Sequence, residues 1–141
     1  MRLASGLSFE ISEHPRSSVS NLFGCVNDVR AMEDLLRRVY GFTDIVRMEN
    51  EEATREAVLA AIQQLVARAG PDDTVVIHYA GHGSQVDDAP RGDEEDHLDE
   101  TLVMHDSRDG DVPDITDDEL NVLLTPLVTD DVILIMDSCH S

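Results

Sequence analysis

The stretch TVVIHY at residues 74–79 is the strongest indication of how this chain folds. An unbroken run of β-branched and aromatic residues is typical of a strand that is buried on both faces of a parallel sheet. A second run of this kind, VILIM, occupies residues 132–136. Both segments are therefore predicted to be buried strands, and they are expected to lie in the same sheet.

The segments that separate the predicted strands have the apolar spacing of helices. Residues 26–39 and 58–69 each place aliphatic side chains at helical intervals, and a glycine follows each pattern. Thr116 and Glu119 have the spacing of a capping box, which predicts the start of a third helix.

The rest of the chain divides into short strands and one long acidic segment. Strands are expected at residues 2–11 and 45–48, and residues 86–118 are expected to form a long loop with one short strand at 101–104. Because strands and helices alternate, the sequence predicts a three-layer α/β fold with a mainly parallel sheet flanked by helices. The 141 residues are expected to form one domain, residues 1–141.

The charge of the chain limits its partners. The formal net charge is −20, with 30 acidic and 10 basic residues, and every basic residue is Arg. Nucleic acids and anionic membrane surfaces are therefore not expected as partners, whereas metal ions and basic peptides are. An acidic surface that only keeps the protein soluble remains an alternative.

The two cysteines, Cys25 and Cys139, do not form a C-x-x-C pair, so neither a disulfide framework nor a cysteine metal site is expected. The first residues lack the pattern of a secretory leader, and no segment has the length of a membrane span. The expected location is the cytoplasm.

His82 and Cys139 each follow one of the two strongest predicted strands. The carboxyl ends of neighbouring parallel strands meet at one edge of a sheet, which is where reactive groups gather. A thiol and an imidazole brought together there suit cysteine proteolysis. The alternative for Cys139 alone is a small buried hydrophobic residue. The glycines on both sides of His82 favour a site, because they leave room for a substrate.

The motifs YAGHGSQ at residues 79–85 and DSCHS at residues 137–141 resemble the two signature segments of metacaspases, the caspase-like cysteine peptidases. The segment GCVND at residues 24–28 is similar to the first conserved segment of that family. The resemblance extends from about residue 21 to the last residue, and it implies a caspase-like fold of which this chain is the large catalytic portion, C-terminally incomplete.

The resemblance implies a catalytic dyad in which Cys139 is the nucleophile and His82 is the general acid and base. It also implies that the backbone N–H groups of Gly83 and Cys139 bind the oxyanion. His140 is interpreted as part of the motif rather than as the base. His78 lies inside a predicted strand and is interpreted as a core residue with a satisfied side chain.

The resemblance further implies that the pocket for the residue before the cleaved bond contains Cys25, Asp28, Ala80 and Asp137. Two carboxylates in this pocket would select Arg or Lys, because a guanidinium satisfies them with paired hydrogen bonds. The family often has Ser where this chain has Ala80, so one hydrogen bond is expected to be missing. The alternative for Asp28 is an acid that only favours the first turn of a helix.

Calcium is the cofactor that the resemblance implies, with Asp99, Asp117 and Asp118 as ligands and a further ligand beyond the last residue of this chain. Calcium binds six to eight oxygen atoms, which acidic loops supply. The alternatives are a solvated acidic segment and, for Asp117 and Asp118, a role in the first turn of the third helix.

The leading hypothesis is therefore a cysteine endopeptidase of metacaspase type that cleaves after Arg or Lys and is stimulated by calcium. Its partners would be protein or peptide substrates with basic residues and the C-terminal small-subunit portion that this chain lacks. One alternative is a non-catalytic caspase-like domain that binds calcium or acts as a scaffold. Another is a related hydrolase with a different specificity pocket.

Overall fold

A computed structural model of the chain describes residues 4–11, 22–87 and 98–138. In these ranges the chain forms strands and helices in the alternating order that the sequence predicts. They are β1 (Ala4–Glu10), α1 (Cys25–Arg38), β2 (Asp44–Glu49), α2 (Arg55–Arg68), β3 (Thr74–Ala80), β4 (Gly83–Asp87), β5 (Leu98–Leu102), β6 (Ile115–Thr116), α3 (Asp117–Leu124) and β7 (Val132–Asp137).

The main sheet has four parallel strands in the order β2-β1-β3-β7. Side chains of β3 alternate between the two faces of the sheet. Val75, Ile77 and Tyr79 pack in the larger core, which includes α2 and Leu120 of α3. Val76 and Ala80 lie on the opposite face, in smaller clusters formed with α1. The sheet is therefore covered on both faces, which confirms the three-layer α/β fold. Of the helices in the described ranges, none is both long and apolar enough to span a membrane.

The prediction of one long loop at residues 86–118 was wrong in part. β4 and β5 pair in antiparallel fashion, and β6 joins them to make a second, three-stranded sheet. β5 has the sequence LDETL and β4 has GSQVD, so neither strand has the apolar run that identifies a strand in a sequence. Backbone hydrogen bonds between the strands stabilise this sheet without requiring an apolar side chain at every second position.

The prediction that residues 132–136 form a strand is confirmed, but the prediction that this strand is buried was wrong. The side chains of Ile133, Leu134 and Met136 are 47%, 44% and 38% exposed. β7 is the end strand of the sheet within the described residues and pairs only with β3 there. A strand at the edge of a sheet has fewer neighbours on both faces, so its apolar residues stay accessible.

Arg55 connects the start of α2 to the start of α3. Its guanidinium forms an ion pair with Glu119 and donates a hydrogen bond to the carbonyl of Asp114 at 2.8 Å. Glu119 also completes the predicted capping box: its carboxylate accepts from the N–H of Thr116, and its own N–H donates to the Thr116 hydroxyl. The hydrogen bond from Arg55 lowers the pKa of Glu119, although burial acts in the opposite direction.

We expect Glu119→Gln to lower the free energy of unfolding at neutral pH and to matter less as the pH falls. A carboxyl whose folded pKa lies below its usual value of 4.5 stabilises the fold above that value, and the contribution disappears as the pH falls through the folded pKa. Urea unfolding of both proteins between neutral pH and about pH 3 measures this convergence. Glu56→Gln is the control, because Glu56 lies in the first turn of α2 and tests the helix dipole alone. A constant difference between wild type and Glu119→Gln at every pH would contradict the prediction.

Candidate active site

The two candidate catalytic residues follow neighbouring strands. β3 and β7 are parallel, with Ala80 opposite Asp137, and the N–H of Gly81 donates to the Asp137 carbonyl at 3.2 Å. His82 is the second residue after Ala80, and Cys139 is the second residue after Asp137. Both residues therefore follow strands that end at the same edge of the sheet. Cys139 itself lies outside the described residues, as do His140 and Ser141.

The backbone of His82 is held by hydrogen bonds to its carbonyl oxygen. The hydroxyl of Tyr79 lies 2.8 Å from this oxygen, and the N–H of Val103 donates to it at 3.1 Å. The Tyr79 hydroxyl also lies 3.0 Å from the Val103 carbonyl, so its one proton has two acceptors. Burial raises the pKa of Tyr79, which keeps the phenol protonated and able to donate. β3 and the segment after β5 therefore position His82, whose side chain is partly exposed.

Gly81 leaves space for this arrangement. A Cβ atom at position 81 would collide with the hydroxyl and ring of Tyr79. We therefore expect Gly81→Ala to lower the free energy of unfolding by about 1–3 kcal/mol, because either the tyrosine or the His82 segment must move. Thermal unfolding measures the loss.

The double variant Gly81→Ala/Tyr79→Phe should recover part of the lost stability, because it removes the atom nearest the added methyl group. Gly6→Ala is the matched control, since a Cβ there meets flexible side chains at ordinary contact distances of 3.5–3.7 Å. Equal stability losses in Gly6→Ala and Gly81→Ala would argue against the collision.

A cavity of about 120 Å³ lies beside Gly83, the residue after His82. Gly83, whose backbone N–H was predicted to bind the oxyanion, lines this cavity together with Ser138, the residue before Cys139. Glu100 and Asp117 also contribute to its lining. The structure therefore brings the residues next to both members of the predicted dyad to one cavity.

A second, open cavity of about 370 Å³ contains both carboxylates that were predicted for the substrate pocket. Asp28 comes from α1 and Asp137 from the end of β7, and the side chains of Met32 and Ile135 supply apolar lining. Both acids are exposed. Two carboxylates at an open cavity with apolar lining suit a long cationic side chain, whose stem packs while its charged end binds the acids.

Cys25 and Ala80, the other two residues predicted for this pocket, do not line the cavity. They are buried and pack with Val29 in a small apolar cluster under α1. Cys25 begins α1 directly after Gly24, which has a φ of 102° that favours glycine. This turn sets where α1 starts, and so it determines where Asp28 lies relative to the sheet.

His78 also lines the cavity of Asp28 and Asp137, a position that the sequence did not indicate. The interpretation of His78 as a buried and satisfied residue is confirmed: its Nδ1 lies 2.9 Å from the hydroxyl of Ser8 on β1. Burial lowers the pKa of His78, while Asp137 and Asp28 act in the opposite direction. Its position two residues before Ala80 on one strand was the available signal, since residues i and i+2 share a face.

The three predicted calcium ligands lie at one end of the second sheet. Asp99 is buried on β5, whereas Asp117 and Asp118 are exposed in the first turn of α3. The antiparallel pairing of Thr101 with Thr116 places Asp99 at the same end of the sheet as the start of α3. Within the described residues, no three His, Cys, Asp or Glu side chains are grouped closely enough to hold a metal ion.

Asp114, which the sequence did not single out, adds a further carboxylate to this region. Its Oδ2 accepts hydrogen bonds from Thr101 and Arg108, both at 2.9 Å. Its Oδ1 is buried and accepts no hydrogen bond within the described part of the chain. A buried carboxylate oxygen in this state is a chemically suitable cation ligand. Asp114 is thus a candidate calcium ligand in addition to the three that the sequence predicts.

Comparison with known proteins identifies relatives of this chain. The family model described as "Metacaspase, peptidase C14 domain" matches residues 6–141. Metacaspase III c of Phaeodactylum tricornutum is 38% identical over 128 residues, which cover 85% of this chain and 37% of that protein. Metacaspase-1 of Botryotinia fuckeliana is 37% identical over 130 residues, covering 85% and 30%. The chain thus spans about a third of the length of these curated relatives.

A solved structure has the same fold. The crystal structure of protein GSU0716 from Geobacter sulfurreducens superposes with a TM-score of 0.79 at 28% sequence identity. The match covers 99% of this chain and 51% of the other protein.

Proposed function

The chain belongs to the metacaspase family of C14 peptidases, and from this premise we propose that it supplies the catalytic dyad and the specificity pocket of a cysteine endopeptidase. The observation that carries the proposal is the register of β3 and β7, which pairs Ala80 with Asp137. His82 and Cys139 follow this pair at the same distance along their strands. Gly83 and Ser138, their neighbours, line one cavity.

In the proposed reaction the Cys139 thiolate attacks the carbonyl carbon of the scissile bond, and the N–H groups of Gly83 and Cys139 bind the resulting oxyanion. The C–N bond then breaks as the His82 imidazolium donates its proton to the leaving amine. Water hydrolyses the acyl-thioester, with His82 accepting the proton of the water. Tyr79 and Val103 keep the His82 backbone in place during both steps.

The proposed substrates have Arg or Lys before the cleaved bond. Asp28 and Asp137 line one open cavity, and a basic side chain would pair with both. An acidic side chain would place a third negative charge among them, so cleavage after Asp is disfavoured. Cys25 and Ala80 pack behind this pocket rather than in it.

We further propose that calcium binds near the start of α3. Asp99, Asp117 and Asp118 would have to come closer together than they lie in this structure to hold the ion, and Asp114 would contribute its buried oxygen. The ion would supply charge neutralisation for the acidic second sheet. In the whole protein a C-terminal small-subunit portion would cover β7, whose exposed apolar side chains favour a packed neighbour.

The proposal is tested with the full-length protein and fluorogenic peptides that end in Arg, Lys or Asp, each with calcium or with a chelator. We expect the Arg and Lys peptides to be hydrolysed at least about 100-fold faster than the Asp peptide, because the preference rests on charge-assisted hydrogen bonds. Calcium should raise the rate.

Three other outcomes would count against parts of the proposal. A preference for the Asp peptide would mean that the substrate side chain binds somewhere other than the cavity of Asp28 and Asp137. Calcium binding without turnover would identify a non-catalytic domain. Equal rates with calcium and with chelator would remove calcium from the proposal.

A further inference from the structure

Three ionisable side chains from three different elements line the cavity proposed for the basic residue of the substrate. Asp28 comes from α1, Asp137 from β7 and His78 from the middle of β3. In the register of the sheet, His78 lies between Ser8 on β1 and Ile135 on β7. The imidazole is thus fixed at the cavity that holds the two carboxylates, and it is the one member of the three that can become a cation.

The surroundings of His78 permit both of its protonation states. A neutral imidazole accepts from the Ser8 hydroxyl or donates to it, and an imidazolium donates to the same oxygen at 2.9 Å. The hydrogen bond to Ser8 therefore does not lock the ring in one charge state. Burial favours the neutral form, and the charges of Asp137 and Asp28 favour the cation.

The other titratable groups on this face are Glu10 of β1, the thiol of Cys25 on α1, and an ion-pair network between β2 and α1. In that network Arg47 and Glu49 of β2, in register with Ser8 and Glu10, pair with each other and with Glu33 and Arg30 of α1, and none of the four lines the cavity. Glu10 is buried, and its carboxylate accepts from the N–H of Asn50 at 3.1 Å, away from the cavity lining. Cys25 is buried in the cluster with Ala80. Asp28 and Asp137 are therefore the anions that line the same cavity as the imidazole.

We infer that His78 competes with the guanidinium or ammonium group of the substrate for Asp28 and Asp137, so that the pocket binds basic side chains more weakly as the medium becomes acidic. The inference rests on the proposed function, because it takes the Asp28–Asp137 cavity as the specificity pocket. It makes His78 a specificity-determining residue in addition to the carboxylates.

The direction in which the affinity changes with pH follows from linkage between two cations that use the same carboxylates. A bound guanidinium neutralises the field of Asp28 and Asp137, so the pKa of His78 falls when the pocket is occupied. By reciprocity, protonation of His78 lowers the affinity for the guanidinium by the same factor. A decrease of about one pKa unit corresponds to about tenfold weaker binding at acid pH. The pocket reaches its full affinity for the guanidinium at pH values above the pKa that His78 has when the pocket is empty.

The test uses the full-length protein with Cys139→Ala, which prevents turnover, and agmatine as a guanidinium probe. We expect the affinity measured by calorimetry to fall about three- to fivefold between about pH 7.5 and pH 5.5, because burial keeps the pKa of His78 below its usual value and the full tenfold loss needs a lower pH. In His78→Asn the affinity should change less than about twofold over this range, since the amide keeps a polar group near Ser8 and does not titrate. His105→Asn is the matched control and should keep the full pH dependence, because His105 is absent from the cavity lining.

A second measurement covers the case in which His78→Asn does not fold. The ring resonances of His78 in otherwise unchanged protein report its pKa directly, and agmatine should lower that pKa. An unchanged pKa of His78 with saturating agmatine would overturn the inference, and so would an unchanged pH dependence in folded His78→Asn.

The failure of the proposed pocket gives a different result. Agmatine binding that is absent, or that is equally strong in Asp28→Asn, would refute the Asp28–Asp137 pocket itself and the inference with it. In the active enzyme the competition should appear in KM, which rises at acid pH, whereas kcat follows the ionisation of the dyad.

Discussion

Replacing either member of the proposed dyad is expected to reduce peptide hydrolysis by the full-length protein below detection. Cys139→Ala removes the atom that forms the acyl-enzyme, and His82→Ala removes the proton donor for the leaving amine. Because the two groups act as one unit, each single replacement should cost at least about 10⁴-fold in kcat, and the double variant should cost little more. Release of the fluorophore from an Arg peptide measures the loss.

His105→Ala is the control for this experiment. His105 lies in the turn after β5, away from both cavities, and its replacement should leave kcat within about twofold. The dyad variants must also keep wild-type affinity for agmatine, which shows that the pocket has folded. A Cys139→Ala protein that hydrolyses peptide at the wild-type rate would refute the mechanism.

The second large effect is expected for the pocket carboxylates. Asp28→Asn and Asp137→Asn keep the shape of the side chain and remove its charge, so each loses one charge-assisted hydrogen bond to the substrate. We expect kcat/KM for Arg peptides to fall about 10- to 100-fold for each variant, mainly through KM. The two effects should not be additive, because both carboxylates bind the same group.

Asp34→Asn is the matched control for the pocket variants. Asp34 is an exposed acid on the same helix as Asp28, and it forms an i,i+4 ion pair with Arg38 at 2.7 Å. Exposed pairs of this kind contribute little, so kcat/KM should stay within about twofold. Alkylation of Cys139 by a small neutral reagent should proceed at the same rate in Asp28→Asn, because this reaction does not use the pocket. Unchanged kcat/KM in both pocket variants would refute their assignment.

The elements that sequence analysis predicted correctly are those with a local physical cause. The β-branched run at residues 74–79 forms β3, and the Thr116–Glu119 capping box begins α3 as expected. The helical spacing at residues 26–39 corresponds to α1. In each case a few neighbouring residues carry the signal, so no knowledge of distant contacts was required.

The second sheet and the exposure of β7 could not be predicted in the same way. β4 and β5 consist largely of polar residues, so they have no apolar pattern to identify them. The apolar run at residues 132–136 predicts a buried strand, yet the burial of this strand depends on which elements lie beside it. Edge and centre positions are properties of the sheet, whereas the apolar run is a property of the strand.

By itself, the sequence determined the α/β class, the two parallel strands that lead to His82 and Cys139, and the resemblance to metacaspases. These follow from residue type and order along short segments. Only the tertiary structure decided which of the residues predicted for the substrate pocket line one cavity: Asp28 and Asp137 line it together with His78, whereas Cys25 and Ala80 are buried in an apolar cluster. The physical reason is that these residues come from α1, β3 and β7, far apart in sequence. Whether a side chain lines a cavity or packs beneath it depends on how those elements pack.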